Sequence, residues 1–369
     1  MGDRLKALVR PAVPALLLAV VATARSTRAR AAAALGLLGL WTAVHLRYRR
    51  HGAARTAEER QRLADTDWEA FARHYKEQVG TIDEEFAAWG PYHQHRHEMR
   101  YDLVAGAVRR HLPPRGRVLD VGCGGALVAD RIADLDARYV GVDIPAKALA
   151  AAADRPAGEA LATAFGRATA EQLPFADGTF DVVVLSEVIE HLLRPELAVW
   201  EISRVLRPGG VLVMTTNNAS EVPERSPLTH LFPWLEKALG ATRPGLISLR
   251  PWVWPQPIDP ALTRPGSPPV YLAHTHHIYG ETRALFRAAG LDAVDWSTFE
   301  FPPPQSATSA VLERWGEGGR RVVDAIEAVA TRTPLLRRLG CHLMVVARKV
   351  GQPVAPAPPP GIWPGPFSD

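Results

Sequence analysis

A glycine-rich stretch that follows a short apolar run is the feature of this chain most suited to chemistry. Residues 118–121 predict a buried strand, and Gly122, Gly124 and Gly125 come directly after it. Because glycine has no Cβ, a ligand can approach such a turn closely, and the helix expected after it offers unpaired N–H groups. The spacing Gly-x-Gly-Gly departs from the Gly-x-Gly-x-x-Gly of dinucleotide sites, which disfavours a nicotinamide dehydrogenase.

A carboxylate stands at the end of the next predicted strand. Asp143 follows residues 139–142 and lies 23 residues after Asp120. At this point of an α/β fold a carboxylate can accept hydrogen bonds from both hydroxyls of a ribose. The alternative is a surface aspartate that caps the helix expected from Pro145.

The glycine turn and Asp143 lie where predicted strands and helices alternate, which is typical of an α/β fold with a parallel sheet. Strands are expected at 118–121, 139–142, within 162–169, at 180–185, 211–215, 291–296 and 343–347. Helices are expected at 100–111, 126–135, 145–153, 195–206, 281–289 and 320–330.

Two further motifs accompany the turn and Asp143: Ala-Glu-Gln-Leu-Pro-Phe at 170–175, and Leu-Arg-Pro-Gly-Gly at 206–210 before a strand. In this order and at these intervals, the four motifs resemble class I S-adenosylmethionine-dependent methyltransferases, closely over 95–218 and loosely over 275–350. The resemblance implies a Rossmann-like mixed sheet with helices on both faces and antiparallel last strands. It also implies S-adenosylmethionine as the cofactor.

The resemblance implies a role for each matching residue. Gly122 and Gly124 would pass under the methionine moiety, Asp120 would help to fix the turn, and Asp143 would hold the ribose. The other implied cofactor contacts are Ile144 on the adenine, Ala170 and Glu171 at its edge, Leu185 at the pocket floor and the upstream Arg96.

The stretch Ser-Glu-Val-Ile-Glu-His at 186–191 resembles the Glu-x-x-Glu-His stretch of the ubiquinone-biosynthesis O-methyltransferases, in the methyltransferase type 11 group. If the chain becomes helical after residue 185, Glu187, Glu190 and His191 share one face and could hold Mg²⁺, which would lower the pKa of a bound phenol. The competing hypothesis is metal-free catalysis with His191 as the base. We therefore take His191 and Glu190 as the catalytic candidates.

These features predict an enzyme that transfers a methyl group to an oxygen of a lipophilic or aromatic small molecule. N- or C-methylation of another metabolite is the alternative within the class. A non-catalytic, cofactor-binding membrane scaffold is the alternative outside it, and the intact glycine turn and Asp143 argue against that scaffold.

The rest of the chain predicts a segmented organisation. We expect an apolar and basic N-terminal segment (1–50), a helical region (51–115), the cofactor-binding core (116–218), a Pro- and Trp-rich insertion that forms a lid (219–274), the C-terminal part of the domain (275–350) and a Pro-rich tail (351–369).

The charge is concentrated in residues 1–50, which hold nine basic residues and one acidic residue of a chain with a formal net charge of +4. The remainder is slightly acidic, so nucleic acid is not an expected partner. The chain has two cysteines, which favours a reducing, cytoplasmic compartment.

Two uncharged runs, 11–24 and 31–46, are shorter than the roughly 18–20 residues that span a bilayer comfortably. We expect them to associate with the cytoplasmic face of a membrane.

Deleting residues 1–50 should therefore release a soluble protein that still binds S-adenosylmethionine, because the apolar runs and the basic charge leave with them. Sedimentation with vesicles containing anionic lipid measures the difference. Full-length protein that stays in the supernatant at low salt would contradict the expectation.

Overall fold

Strands and helices alternate along the chain, as the sequence predicts. A computed structural model describes residues 90–155, 158, 160–192, 194–218, 256–257, 271–272, 277, 279–300, 305–333 and 340–352. The expectations for residues 1–50, for most of the lid and for nearly all of the Pro-rich tail lie outside these residues. Within the described part of the chain, no helix is long and apolar enough to cross a bilayer.

The described residues contain six α-helices, one short 3₁₀ turn and nine strands. The helices are α1 (Pro91–His111), α2 (Leu127–Arg131), α3 (Ala146–Ala153), α4 (Pro195–Val205), α5 (Tyr279–Ala288) and α6 (Gln305–Arg332). The strands are β1 (Arg117–Val121), β2 (Ala137–Asp143), β3 (Leu161–Arg167), β4 (Phe180–Ser186), β5 (Leu206–Asn217), β6 (Gln256–Pro257), β7 (Tyr271–Leu272), β8 (Leu291–Phe299) and β9 (His342–Lys349).

The main sheet has seven strands in the order β3-β2-β1-β4-β5-β9-β8. Strands β1 to β5 pair in parallel, and β9 is antiparallel to both β5 and β8, so the mixed sheet with antiparallel last strands is confirmed. This connectivity brings the carboxyl ends of β1, β2, β4, β5 and β8 to the same edge as the amino end of β9. Side chains that follow these strands therefore meet there.

Helices cover both faces of the sheet, and the side chains of β4 are therefore buried on both sides. Val182 and Val184 pack in one cluster with Val104 and Val108 of α1. The alternating residues Val183 and Leu185 pack in a second cluster that includes side chains of α4 and α5. A strand that points successive apolar side chains to opposite faces needs a helical layer on each.

Several predicted boundaries are wrong. Helix α1 begins at Pro91 rather than at residue 100, and α6 begins at Gln305 rather than at residue 320. The helix expected over 126–135 forms only at Leu127–Arg131. Ala126 has a left-handed φ of 60°, and after Arg131 the N–H groups of Ile132 and Leu135 bond to carbonyls three residues back rather than four. Strand β5 begins at Leu206 rather than at residue 211, because Leu206 already pairs with Phe180 of β4.

Gly141 of β2 is where the glycine turn packs against the sheet. A Cβ at this position would lie 2.8 Å from Sγ of Cys123 and 2.8 Å from the Phe165 ring. We expect Gly141→Ala to lower the free energy of unfolding by about 1–3 kcal/mol in urea denaturation, as overpacking of a core does. Gly166→Ala is the control, since a Cβ there meets no atom within 4 Å. Equal stability of the two variants would contradict this packing.

Candidate functional site

A cavity of about 410 Å³ lies at the carboxyl edge of β1 and β4. Its walls come from four parts of the chain: the end of β1 with the glycine turn and the start of α2, the end of β4 and the residues after it, the first half of α1, and the end of β5 with the start of β9. The lining residues are Arg96, His97, Arg100, Tyr101, Asp120, Gly122, Cys123, Gly124, Gly125, Leu127, Val128, Ser186, Glu187, Glu190, His191, Asn217 and His342.

The glycine turn is anchored to β2, and its glycines serve different purposes. The N–H groups of Gly122 and Cys123 donate to the carbonyl of Val142 at 2.8 and 3.1 Å. Gly122 has φ 73°, and a Cβ on it would lie 2.3 Å from Cγ2 of Val188. Gly124 has φ 51°, and a Cβ there would meet nothing within 4 Å. Gly122 is therefore needed for close packing, whereas Gly124 leaves open space beside the turn.

Asp143 holds the turn through its carboxylate. Its Oδ2 accepts from the N–H of Gly124 and its Oδ1 from the N–H of Ile144, both at 2.7 Å. Helix α3 begins without a side-chain cap, so the alternative in which Asp143 caps it is wrong. Burial raises the pKa of Asp143, and the two N–H donors oppose that rise. Asp143 thus contacts the turn but is not itself in the cavity lining.

Of the other implied cofactor residues, some line the cavity and others lie outside its lining. Asp120 lines the cavity, and the Tyr139 hydroxyl donates to its Oδ2 at 2.6 Å. Burial raises the pKa of Asp120 to about 7, although the bond from Tyr139 lowers it. The residues Ile144, Ala170, Glu171 and Leu185 lie outside the cavity lining.

Two arginines of α1 lie at the cavity, and sequence reasoning named only one. Arg96 forms an ion pair with Glu300 and contacts Nε2 of His342. Arg100 is 6% exposed. Its Nη2 donates hydrogen bonds to Nδ1 of His97 at 2.8 Å and to the Tyr101 hydroxyl at 3.1 Å. Its Nε has no hydrogen-bond partner among the described residues. Arg100 is thus a buried cation with donor capacity to spare. Its place four residues before the buried Val104 of α1 is a sequence signal that could have found it.

The stretch after β4 is not an α-helix. Glu187 has a left-handed φ of 56°, and only Ile189–His191 form a short 3₁₀ turn. The prediction that Glu187, Glu190 and His191 share one helical face is therefore wrong. Among the residues that the structure describes, no three His, Cys, Asp or Glu side chains are grouped to hold a metal ion. All three nevertheless line the cavity.

His342 was missed by sequence reasoning and lies at the centre of a buried ion cluster. It is the first residue of β9 and pairs with Asn217 of β5 and Phe299 of β8. Its Nδ1 lies 3.0 Å from Oε2 of Glu187, and its Nε2 lies 3.0 Å from Oε2 of Glu300. We call Arg96, Arg100, His342, Glu187 and Glu300 the edge cluster. No local sequence pattern marks His342 or Glu300, because their partners are distant in the chain.

The edge cluster sets the charge of each member. Burial by itself lowers the pKa of His342, but Glu187 and Glu300 outweigh burial and raise it to about 9. Burial would raise the pKa of Glu187, yet His342 and the two arginines hold it well below the usual range. Burial and the charge of Glu187 raise the pKa of Glu190, which accepts from the Thr216 hydroxyl at 3.0 Å. At neutral pH Glu187 is thus ionised, and its charge together with burial favours the protonated form of Glu190.

His97 is a third cavity histidine, and it is neutral. Burial, followed by the charges of Arg100 and Arg96, lowers its pKa to about 2. Its Nδ1 accepts a hydrogen bond from Arg100, so it cannot also take a proton there. His191 lies in the cavity wall, and its role as a base stays a prediction.

His342 gives the fold a pH dependence with a definite sign. Its folded pKa of about 9 lies above the ordinary value of 6.5. Its contribution to stability is therefore fully present below pH 6.5 and is lost as the pH rises through 9. Urea denaturation from pH 6 to 10 should show a fall in the wild-type free energy of unfolding that is reduced in His342→Gln. Parallel curves for the two proteins would contradict the assignment.

Comparisons with known proteins agree with this geometry. Residues 119–214 match the family model described as a methyltransferase domain. A ubiquinone biosynthesis O-methyltransferase of Agrobacterium fabrum is 36% identical over 111 residues, which cover 30% of this chain and 44% of that protein. The protein of the same name from Parvibaculum lavamentivorans is 35% identical over 127 residues, covering 34% and 49%. The chain thus spans less than half the length of these curated relatives.

Solved structures are similar at lower identity. A SAM-dependent methyltransferase from Methanosarcina mazei has 16% identity and a TM-score of 0.41, with 66% of this chain and 97% of that chain covered. One from Thermotoga maritima has 17% identity and a TM-score of 0.41, with 76% and 99% covered. The family match, together with the seven-stranded sheet and the glycine turn, identifies residues 119–214 as a methyltransferase domain.

Proposed function

We propose that this chain is an S-adenosylmethionine-dependent methyltransferase that methylates an oxygen of a lipophilic or aromatic small molecule. The observation that carries the proposal is the cavity bounded by the glycine turn, α1 and the residues after β4, within a domain that matches methyltransferase domains. Ligands of α/β folds bind at this edge of the sheet. Bound S-adenosylmethionine would supply a methyl group that is already activated towards a nucleophile.

The residues present fit this cofactor. Arg100 is a buried cation whose Nε lacks a partner, which suits the carboxylate of the methionine moiety. Gly124 leaves open space beside the turn, so a bound ligand can approach the backbone closely there. The Asp143 carboxylate accepts hydrogen bonds from the N–H groups of Gly124 and Ile144, so both Asp143 and Ile144 lie next to the turn. This position supports the proposed contacts of Asp143 with the ribose and of Ile144 with the adenine. Asp120 adds a carboxyl group that a cationic ligand would hold in its ionised form.

The protein's own part in methyl transfer is mainly alignment and the exclusion of water. Helix α1 and the edge cluster wall off one side of the cavity. His191 is the proposed proton acceptor. Burial and the charge of Glu187 raise the pKa of Glu190, which favours a role as hydrogen-bond donor over a role as base. The helical face required for a Mg²⁺ site does not form, so Mg²⁺ is not part of the proposal.

The lipophilic nature of the acceptor rests on two supports. The curated relatives are named for ubiquinone biosynthesis. The apolar runs in residues 1–50 would bring the enzyme to a membrane, where such acceptors concentrate.

Incubation with radiolabelled S-adenosylmethionine and a lipid extract, followed by mass spectrometry of the labelled product, tests the proposed function. A labelled methyl ether is the expected product. Binding of S-adenosylmethionine in calorimetry without any labelled product, from the lipid extract or from a pool of water-soluble metabolites, would favour the non-catalytic scaffold instead.

Asp143→Ala should weaken S-adenosylmethionine binding by about 1.5–3 kcal/mol, roughly 10- to 150-fold in Kd, which is typical of losing hydrogen bonds to a charged group. Isothermal titration calorimetry measures the change. Asp154→Ala is the control, because Asp154 is an exposed carboxylate just beyond α3. An unchanged Kd for Asp143→Ala would remove this residue from the cofactor site.

A further inference from the structure

Glu187 presents an unused hydrogen-bond acceptor at the cavity. Its Oε2 lies 3.0 Å from Nδ1 of His342 and 4.0 Å from Nη1 of Arg100. Its Oε1 is buried and has no hydrogen-bond partner among the described residues, and Glu187 lines the cavity. A buried carboxylate oxygen without a donor is costly unless a ligand supplies one.

The position of Glu187 is enforced by its surroundings. It follows the last residue of β4 with a left-handed φ of 56°, and its N–H donates to the carbonyl of Thr215 at 3.0 Å. Glu300 follows the last residue of β8 with a φ of 60°. A left-handed conformation is unfavourable for glutamate, and such residues persist only where the surrounding structure holds them. Both carboxylates that flank His342 are therefore held at strained positions.

His342 is the group that joins these two carboxylates. Its ring nitrogens lie 3.0 Å from each, it is 3% exposed, and its backbone is held between β5 and β8. Both ring nitrogens face carboxylates. His342 is therefore placed to influence a substrate mainly through Glu187.

The charges of the edge cluster select among hydrogen-bond donors. It contains three cationic side chains, Arg96, Arg100 and His342, and two anionic ones, Glu187 and Glu300. An ammonium group placed against this excess of positive charge would be repelled. A neutral hydroxyl supplies a donor to Oε1 without that cost.

We propose that Oε1 of Glu187 accepts a hydrogen bond from a neutral hydroxyl of the methyl acceptor, and that His342 is the positioning residue that holds Glu187 for it. The subsite lies where the ends of β4 and β8 meet the start of β9, next to the glycine turn. It rests on the proposed function, since it orients the acceptor in the same cavity.

Three fluorinated probes of similar size test the hydroxyl preference. They are 4-fluorophenol, which donates a hydrogen bond; 4-fluoroanisole, which does not; and 4-fluorobenzylamine, which is cationic at pH 7.5. Ligand-observed ¹⁹F NMR with protein saturated by S-adenosylhomocysteine reports their binding. We expect the phenol to bind at least tenfold more tightly than either of the others.

Three variants test the residues. Glu187→Gln should abolish most of the preference for 4-fluorophenol over 4-fluoroanisole, and His342→Gln should reduce it. The double variant should lose no more than Glu187→Gln alone, because residues that act through one another are not additive. Glu317→Gln is the matched control, since Glu317 is exposed on α6 and its ion pair is with Arg321. Circular dichroism and the Kd for S-adenosylhomocysteine show whether each variant is folded.

The outcomes are distinguishable from failure of the proposed function. If the wild type binds S-adenosylhomocysteine but binds the phenol no better than its methyl ether, or not at all, the subsite proposal is overturned. Additive losses in the double variant would make His342 merely structural and overturn its part. Failure of the wild type to bind S-adenosylmethionine or S-adenosylhomocysteine would instead count against the proposed function.

Discussion

The burial of His342 between two carboxylates governs the arrangement of the sheet edge. A buried ion pair is costly to break, at about 3–5 kcal/mol when one partner is removed, because the other charge is left uncompensated. The pairing of His342 with Glu187 and Glu300 therefore links the start of β9 to the ends of β4 and β8. Through Arg96, the same cluster attaches the first turns of α1 to this edge.

Several unfavourable features of the described residues lie at the same edge. The left-handed Glu187, with its unpartnered Oε1, and Arg100, with its unpartnered Nε, both line the cavity. The two apolar clusters on the faces of the sheet stabilise the fold enough to offset these unfavourable features. Strain and unsatisfied polar groups concentrated in this way are typical of a binding site, since the ligand provides the missing partners.

Local patterns in the sequence determined the methyltransferase fold and several of the residues that line its cavity. The apolar run of β4, the glycine turn and the carboxylate at the end of β2 are each contained in a few residues, so periodicity and spacing predict them. The antiparallel last strands followed from the family resemblance, and the pairing of β9 with β5 and β8 confirms them. The contact between Asp143 and the glycine turn shows that two motifs from separate parts of the sequence lie side by side at the edge of the sheet.

The arrangement of the remaining cavity residues was decided by the tertiary structure alone. Whether Glu187, Glu190 and His191 share a face depends on backbone dihedrals that a spacing rule assumes but does not establish, and the left-handed Glu187 removes that face. The edge cluster joins residues of α1, β9 and the ends of β4 and β8, which are far apart in the chain. A single sequence predicts local conformation from neighbouring residues, whereas the charge state of Glu187 depends on a histidine that only the folding of the sheet brings within 3.0 Å.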